Sequence, residues 1–474
     1  MKSEKIYAET SGRSLAMKNI TAFILAAGEG KRMKSRKSKL VHKLCGRPMI
    51  DWVHGAVEGA GIRKSVIIVG HLADQVMELM DGKAEFVMQE ERLGTGHAVM
   101  QAEKYLTDND GLVLVLCGDT PLITSETITR TLEYHRKGGY TATVITAEVD
   151  DPAGYGRIIR DKDGGVERIV EHRDASEAER AIKEINSGMY LFSAAELHKA
   201  LKDVRNDNIQ GEYYLTDTLE IMVGKGLKVG ACRMENADEV LGVNDRVQLE
   251  RLSDILRRRI LRRLMFEGVT IMDSGTVFID AAVEIGMDTV IYPGTIIEGP
   301  CKIGEACAIG PNSRLVDVKI GDNTVINSSV VLQSTIGNDV QVGPFAYIRP
   351  DSNIGNKSKI GDFVEIKKSN IGSRTKIPHL AYIGDSDVGD NTNIACGVIT
   401  VNYNGKIKSR TRIGSNSFVG CNVNLVAPVT VNDNSYIAAG STITEEVPEN
   451  ALAIARSRQV NKEDWVIRRG MQRK

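Results

Sequence analysis

The segment Leu25-Ala26-Ala27-Gly28-Glu29-Gly30-Lys31-Arg32-Met33 directly follows Ile20–Ala26, an apolar run that reads as a buried strand. Gly28 and Gly30 let the backbone approach a phosphate closely, and small Ala26-Ala27 leave room for a flat base. Arg32 and Lys39 bring positive charge to that loop. Gly118-Asp119 ends a second apolar run, Leu112–Cys117, where a carboxylate can hold a divalent ion. Gly94-Thr95-Gly96 is another flexible loop, and Glu171, Asn186 and Asn244 fall at expected turns or strand ends. A glycine pair after a strand is by itself more often a tight turn. The added charge, carboxylate and second loop favour a nucleotide phosphate site. Chemistry at such a site is positioning plus neutralisation of negative charge, because a phosphate oxygen is already a nucleophile.

A second group of reactive residues lies far downstream. The chain has eight histidines, and only His379 falls in its repetitive second half. Pro378 fixes the backbone before it, and Lys367, Arg349, Tyr382 and Asn393 recur near the same stretch. A lone histidine is commonly structural. A histidine with lysine, arginine and tyrosine recurring nearby is nonetheless a candidate for proton transfer.

Two kinds of element must position these groups. Residues 18–246 alternate apolar strands (Ile20–Ala26, Ser65–Val69, Leu112–Cys117) with helices (Met49–Ala60, Glu126–Arg136). That order implies an α/β domain with a mainly parallel sheet covered on both faces. Ligands of such sheets bind beyond the carboxyl ends of the strands, where the first loop and Asp119 fall. Residues 247–267 read as one amphipathic connecting helix without Pro or Gly. From Ile279 to Ile309 an aliphatic residue recurs every sixth position, and the beat returns at Ile320 and Ile326, from Ile336 to Ile366, from Ile371 to Ile383 and from Ile413 to Ile443. Neither a helix nor a flat strand has that period. A coil that turns a corner once per repeat does, so residues 268–454 are expected to form a left-handed parallel β-helix. The beat is lost between Ile394 and Ile413, predicting an extruded loop. Residues 455–474 form a charged tail expected to cap the prism or reach a neighbour. Residues 1–17 are polar and read as a disordered extension, with Met17 a candidate start.

Composition narrows the partners. With 61 basic against 62 acidic residues, no nucleic-acid or membrane partner is implied. Seven dispersed cysteines without a CxxC pair suggest a reduced cytoplasm. No apolar stretch approaches membrane-spanning length.

LAAGEGKRM, QEERLGTGHA (89–98), GDTPL (118–122), DPAGYGRI (151–158), EHRDA (171–175) and GVNDR (242–246) together closely resemble the sugar-phosphate nucleotidyltransferases. IRPDSNIG (348–355), GDFVEIKKS (361–369), HLAYIGD (379–385), NYNG (402–405), LVAPV (425–429) and IAAGSTIT (437–444) resemble hexapeptide-repeat acyltransferases. The pair is similar to one bacterial family, the bifunctional N-acetylglucosamine-1-phosphate uridylyltransferases/glucosamine-1-phosphate acetyltransferases, over roughly residues 18–466. The resemblance implies a Rossmann-like nucleotidyltransferase domain followed by the β-helix. It implies that Leu25, Ala26, Ala27, Gly28, Gln89, Gly94 and Thr95 hold UTP, with Arg32 and Lys39 neutralising the triphosphate. Asp119 and Asn244 would ligate Mg2+, and Gly156, Glu171, Asn186 and Asn244 would hold the sugar. In the second half His379 would be the general base, its ring oriented by Glu365. Arg349, Lys367, Tyr382 and Asn393 would bind glucosamine-1-phosphate. Asn402 and Tyr403 would complete the pocket and, with Cys396, Cys421, Ala439 and Arg456, contact acetyl-CoA. The family pockets lie between subunits, so a homotrimer is expected.

The chain departs from the family pattern in three places. Ser38 precedes Lys39 where Pro is usual, which leaves the backbone less restrained. Ala395-Cys396-Gly397-Val398 replaces Gly-Ala-Gly-Thr, and Cys421 replaces Ser, altering bulk and hydrogen bonding in the coenzyme pocket. Two other readings compete. One is a single-function nucleotidyltransferase with a β-helix used only for assembly or regulation. The other is a non-enzymatic scaffold with a nucleotide-binding head. HLAYIGD and NYNG favour two activities over the first, and GDTPL with Asn244 disfavours the second.

Overall fold

The computed structural model describes residues 19–107 and 111–472. The extension 1–17, with Met17, lies outside the described residues. Two compact units divide between Leu256 and Arg257, inside the single helix Arg246–Phe266.

In the first unit a mixed sheet runs Val229–Arg233, Ala142–Glu148, Glu184–Ser193, Leu112–Cys117, Ile20–Ala26, Lys64–Val69, Glu85–Met88. The four strands from Leu112–Cys117 to Glu85–Met88 are parallel, so their carboxyl ends share one edge. Alternation along Ile20–Ala26 sends Ala22 and Ile24 to one apolar layer and Phe23 to the other. Both faces are therefore dry, as a parallel sheet requires. The departure from the expected mainly parallel order is central: Glu184–Ser193 runs antiparallel to both neighbours. A register shift between Asn186 and Tyr190 bends that strand. The predicted helices form as Met49–Gly59 and Ser125–Gly138, the latter capped by the Thr124 hydroxyl accepting from the Thr127 N–H.

The second unit is a parallel β-helix of hexapeptide repeats. Its strands of two to four residues deal in rotation into three sheets of eleven, ten and nine strands. Most strands bury an aliphatic residue of the beat: Ile279, Ile297, Leu315, Val331, Ile348, Ile366 and Ile383 stack in one column. Corners take positive φ, and Asn and Asp supply many of them, including Asn323, Asp339, Asn391, Asn416 and Asn434. Their short side chains tolerate that conformation.

The interruption is narrower than expected. A strand re-forms at Ile399–Val401, with Thr400 rather than an aliphatic residue facing inward. Thr400 is satisfied there: its Oγ1 accepts from Gly384 N–H at 2.8 Å. Only residues 402–410 leave the coil. Asn391 and Asn416, bonded across adjacent coils, are 25 residues apart, whereas Arg374 and Asn391 are 17 apart.

Candidate functional site

The parallel edge of the first sheet opens into a pocket of about 290 Å³. Leu25, Ala26, Ala27, Gly28, Lys39, Gln89, Gly94, Thr95 and Asp119, all singled out in the sequence, line it. Gly94 is needed for a backbone reason. Its φ is 106°, and a Cβ there would lie 2.6 Å from Tyr213 O. That close approach zips the loop to its neighbour, with Gly96 N–H donating to Tyr213 O and Tyr213 N–H to Leu93 O, both at 2.7 Å.

Lys39 is nearly buried, its side chain 11 % exposed, and its ammonium is ion-paired with Asp119. It also donates to Asn244 Oδ1 at 3.3 Å. Asn244 reaches this point because Val243 N–H donates to Asp119 O at 2.9 Å. Two oxygens from distant segments thus converge on one positive charge. Ser38 is not the loose point expected from the missing proline. It holds φ −52° and ψ 140°, angles proline would adopt, and its N–H donates to Gln75 Oε1 at 2.8 Å. That bond restrains the backbone instead of a ring.

Gly156, Asn186 and Glu171 gather beside this pocket rather than lining it. Asn186 N–H donates to Gly156 O at 2.9 Å, and Asn186 Nδ2 donates to Tyr190 Oη at 2.7 Å. Burial pushes the Glu171 carboxyl up, helped by Asp174, Asp217 and Glu212. Burial likewise raises Asp217 to about 6. The Tyr214 hydroxyl is buried in this acidic group without a partner among the described residues. Arg32 stays exposed on the turn Lys31–Met33 and does not line the pocket.

Arg92, Ala98, Cys117 and Glu212 also line the pocket and were missed. Arg92, which pairs with Glu29 at 3.2 Å, sits in the very loop that carries Gly94 and could have been noticed. Glu212 gives no local signal, since only the fold brings it there. Cys117 is inert: burial, then Asp119, push its thiol up to about 12.

In the β-helix, His379 ends the strand Lys376–His379 with its ring exposed. Its Nδ1 lies 2.6 Å from Asp362 Oδ1, one coil below. Asp362, not Glu365, therefore orients the ring, and the hydrogen bond from His379 holds the Asp362 carboxyl below its ordinary value. Glu365 instead accepts from Arg349 at 2.8 Å. The period itself was the missed signal, for Asp362 precedes His379 by one coil of 17 residues. With Nδ1–H committed to a carboxylate, Nε2 presents a lone pair to solvent.

Arg349 and Lys367 follow one another in adjacent coils, and Tyr382 stands on the same sheet beside Glu365. Lys367 Nζ is 4.0 Å from Asp385, which also accepts from Asn402. Asn402 reaches Tyr382 Oη at 3.4 Å. Lys408 of the extruded loop crowds this group, and a hydrogen bond from Lys367 holds its amine below the usual value. Neither Asp385 nor Lys408 was anticipated. Asn393 is not brought to this group, because it pairs with Lys376 and Phe418 on a different sheet. Tyr403 lies on the extruded loop, exposed, its hydroxyl donating to Gly405 O at 2.7 Å.

Turns at His379-Leu380, Cys396-Gly397, Cys421-Asn422 and Ala439-Gly440 succeed one another at one corner of consecutive coils. Asn422 N–H donates to Cys396 O and Gly440 N–H to Cys421 O, each at 2.8 Å. Arg456 packs beside Gly440. Cys396, Cys421, Ala439 and Arg456 of the residues predicted for the coenzyme thus share one edge with the histidine, whereas Asn402 and Tyr403 stand on the extruded loop.

A sheet-edge phosphate pocket and a corner imidazole on a hexapeptide coil define a nucleotidyltransferase joined to a hexapeptide-repeat transferase. Compared with known proteins, residues 21–242 match the family described as nucleotidyl transferase. Residues 282–316, 333–368 and 410–445 match the bacterial transferase hexapeptide family. The chain is 60 % identical over 457 residues to the bifunctional protein GlmU of Acetivibrio thermocellus, covering 96 % of this chain and 99 % of that one. It is 56 % identical over 453 residues to the GlmU of Caldanaerobacter subterraneus subsp. tengcongensis, with the same two coverages. Against the GlmU of Geobacillus sp. (strain WCH70) it is 54 % identical over 447 residues, 94 % of this chain and 97 % of the other. The chain belongs to the bifunctional GlmU family. It is a bifunctional enzyme combining a uridylyltransferase with an acetyltransferase.

Proposed function

We propose that the β-helix site acetylates glucosamine-1-phosphate with acetyl-CoA, and that the sheet-edge site then transfers UMP from UTP to the N-acetylated product. The observation that carries this reading is the pairing of the exposed His379 with Asp362, which holds Nδ1 on the carboxylate and leaves Nε2 to act as the base. A sugar amine is mostly protonated near neutrality, and only its neutral form attacks a thioester. His379 Nε2 removes that proton as the carbon–nitrogen bond forms. Arg349 and Lys367 hold the sugar phosphate, and Tyr382, Asn402 and Tyr403 wall the pocket. Cys396, Cys421, Ala439 and Arg456 take the coenzyme.

At the sheet edge Ala26, Ala27, Gly28, Gln89, Gly94 and Thr95 hold the nucleotide, while Gly156, Glu171 and Asn186 hold the sugar. Lys39 and Arg32 neutralise charge as pyrophosphate leaves. The hard oxygens of Asp119 and Asn244, converging on one cation, fit Mg2+. Among the described residues no three His, Cys, Asp or Glu gather as a metal site. Phosphate oxygens and water would complete the ion's shell. When bound, the ion neutralises charge on the triphosphate.

Asn393 supports assembly as a homotrimer. It pairs with Lys376 and Phe418 rather than with the coils of Arg349, Lys367 and Tyr382, so in a trimer it could serve a neighbouring copy's site. Residues 18–246 and 268–454 would be the two catalytic domains, 247–267 the connecting helix and 455–474 the tail. Among the described residues no helix is long and apolar enough to cross a membrane, which accords with action in the cytoplasm. The test supplies glucosamine-1-phosphate, acetyl-CoA, UTP and magnesium, and follows free thiol and pyrophosphate separately. His379→Ala should abolish thiol release yet make pyrophosphate from pre-acetylated sugar. Loss of both signals in folded protein would overturn the two-site assignment.

A further inference from the structure

Gln89 is 4 % exposed and lines the nucleotide pocket, so the orientation of its amide decides what the pocket can recognise. Two neighbours settle that orientation. Gly94 O lies 3.2 Å from Gln89 Nε2, and a carbonyl oxygen only accepts, so the amide must turn its NH2 group to that side. His97 Nδ1 stands 3.1 Å from the same nitrogen. Both amide hydrogens are then used: one on Gly94 O, the other on Nδ1. His97 must then carry its own proton on Nε2, and the exposed Gln101 amide, whose nitrogen lies 3.1 Å away, must turn its oxygen to that side to accept it. The helix Thr95–Gln101 holds the imidazole in place against the Tyr213 ring, centroid to centroid 6.3 Å.

We infer that His97 is a positioning residue that fixes the Gln89 amide with its oxygen toward the base, making the pocket select uracil over cytosine. Gln89 Oε1 remains as an acceptor, matching the N3–H of uracil. Cytosine presents an acceptor at N3, and the two oxygen and nitrogen lone pairs would oppose each other in a buried site. Without Nδ1, the amide could rotate and offer its NH2 to the base, which suits cytosine. This inference rests on the reading of Gln89 as a base contact.

The test compares kcat and KM for UTP and CTP in the full-length enzyme with pre-acetylated sugar. His97→Leu should lower the UTP/CTP ratio of kcat/KM at least tenfold, chiefly by raising KM for UTP. His97→Asn, whose Oδ1 can accept where Nδ1 does, should restore most of that ratio. His97→Gln, which reaches instead toward Gln101, should not. Acetyl transfer should be unchanged in all three and serves as the folding control. A ratio unmoved in His97→Leu, or a fall in kcat alone, would reduce His97 to packing and overturn the inference. If the leucine variant does not fold, the Asn and Gln variants decide by the same ratio. Gln89→Leu separates the underlying reading: an unaltered KM for UTP there would show that Gln89 is not the base contact at all.

Discussion

The ammonium of Lys39 sits between the Asp119 carboxylate and Asn244 Oδ1, tying the first loop to two segments that follow it by 80 and 205 residues. The pair is mostly shielded from solvent, so its charges are poorly screened. In the proposed reaction, a cation thus already stands where positive charge is needed.

Removing that cation should therefore cost activity more than fold. Lys39→Met is expected to lower kcat for pyrophosphate release by about 10²-fold or more, the usual size for loss of one electrostatic stabiliser. Lys39→Arg should recover little, because a planar fork does not replace a compact point charge. Thiol release from acetyl-CoA, measured on the same samples, should be unchanged.

The histidine's orientation makes a second expectation. Asp362→Asn should lower the acetyl-transfer rate by about tenfold or more, since the wrong tautomer would then be favoured. Glu365→Gln should act differently, through Arg349, and raise KM for the sugar phosphate. Steady-state kinetics of both variants distinguish orientation from binding. Equal loss of kcat in the two would contradict the pairing seen here.

Stability should depend on pH through Asp217. Its carboxyl is raised to about 6 by burial, then by Glu220, Asp207 and Asp174. The protonated form is favoured in the folded chain, so this stability is fully present below the unfolded value near 4. It is lost as pH rises through about 6. Asp217→Asn should stabilise the first unit by about 1 kcal/mol at pH 7.5, a figure discounted for partial exposure. At pH 4 the gain should vanish. Thermal melts at the two pH values measure it, and an equal effect at both would refute it.

The cysteines should differ sharply in reactivity. Cys421 is exposed at the corner shared with Cys396 and Ala439, whereas Cys117 is buried with its thiol pushed up to about 12. Brief treatment with a maleimide should label Cys421, spare Cys117 and block acetyl transfer while uridylyl transfer continues. Acetyl-CoA should protect, and Cys421→Ser should remain active and resist the reagent. Peptide mass mapping locates the label.

Local order was legible before any coordinates. The hexapeptide beat named the buried residue of strand after strand, because a coil that turns a corner every six residues must bury the same position each time. It passed over Leu315, Val331 and Val388, where the spacing shortens to five residues, and Thr400, where a hydroxyl bonded within the coil replaces an aliphatic side chain. The glycine loops after apolar strands likewise pointed to the sheet edge. Ser38 was misjudged because a proline's restraint can be replaced by a hydrogen bond to a residue 37 positions away.

Sequence alone thus determined the two architectures, the loop at the first strand's end and the single histidine of the coils. These follow from period, glycine placement and residue type, which are local properties. The tertiary structure decided who partners whom: Lys39 with Asp119 and Asn244, His379 with Asp362 rather than Glu365, Gln89 with His97. Hydrogen bonds act over about 3 Å in space, and spacing along the chain does not measure that distance until the fold is formed.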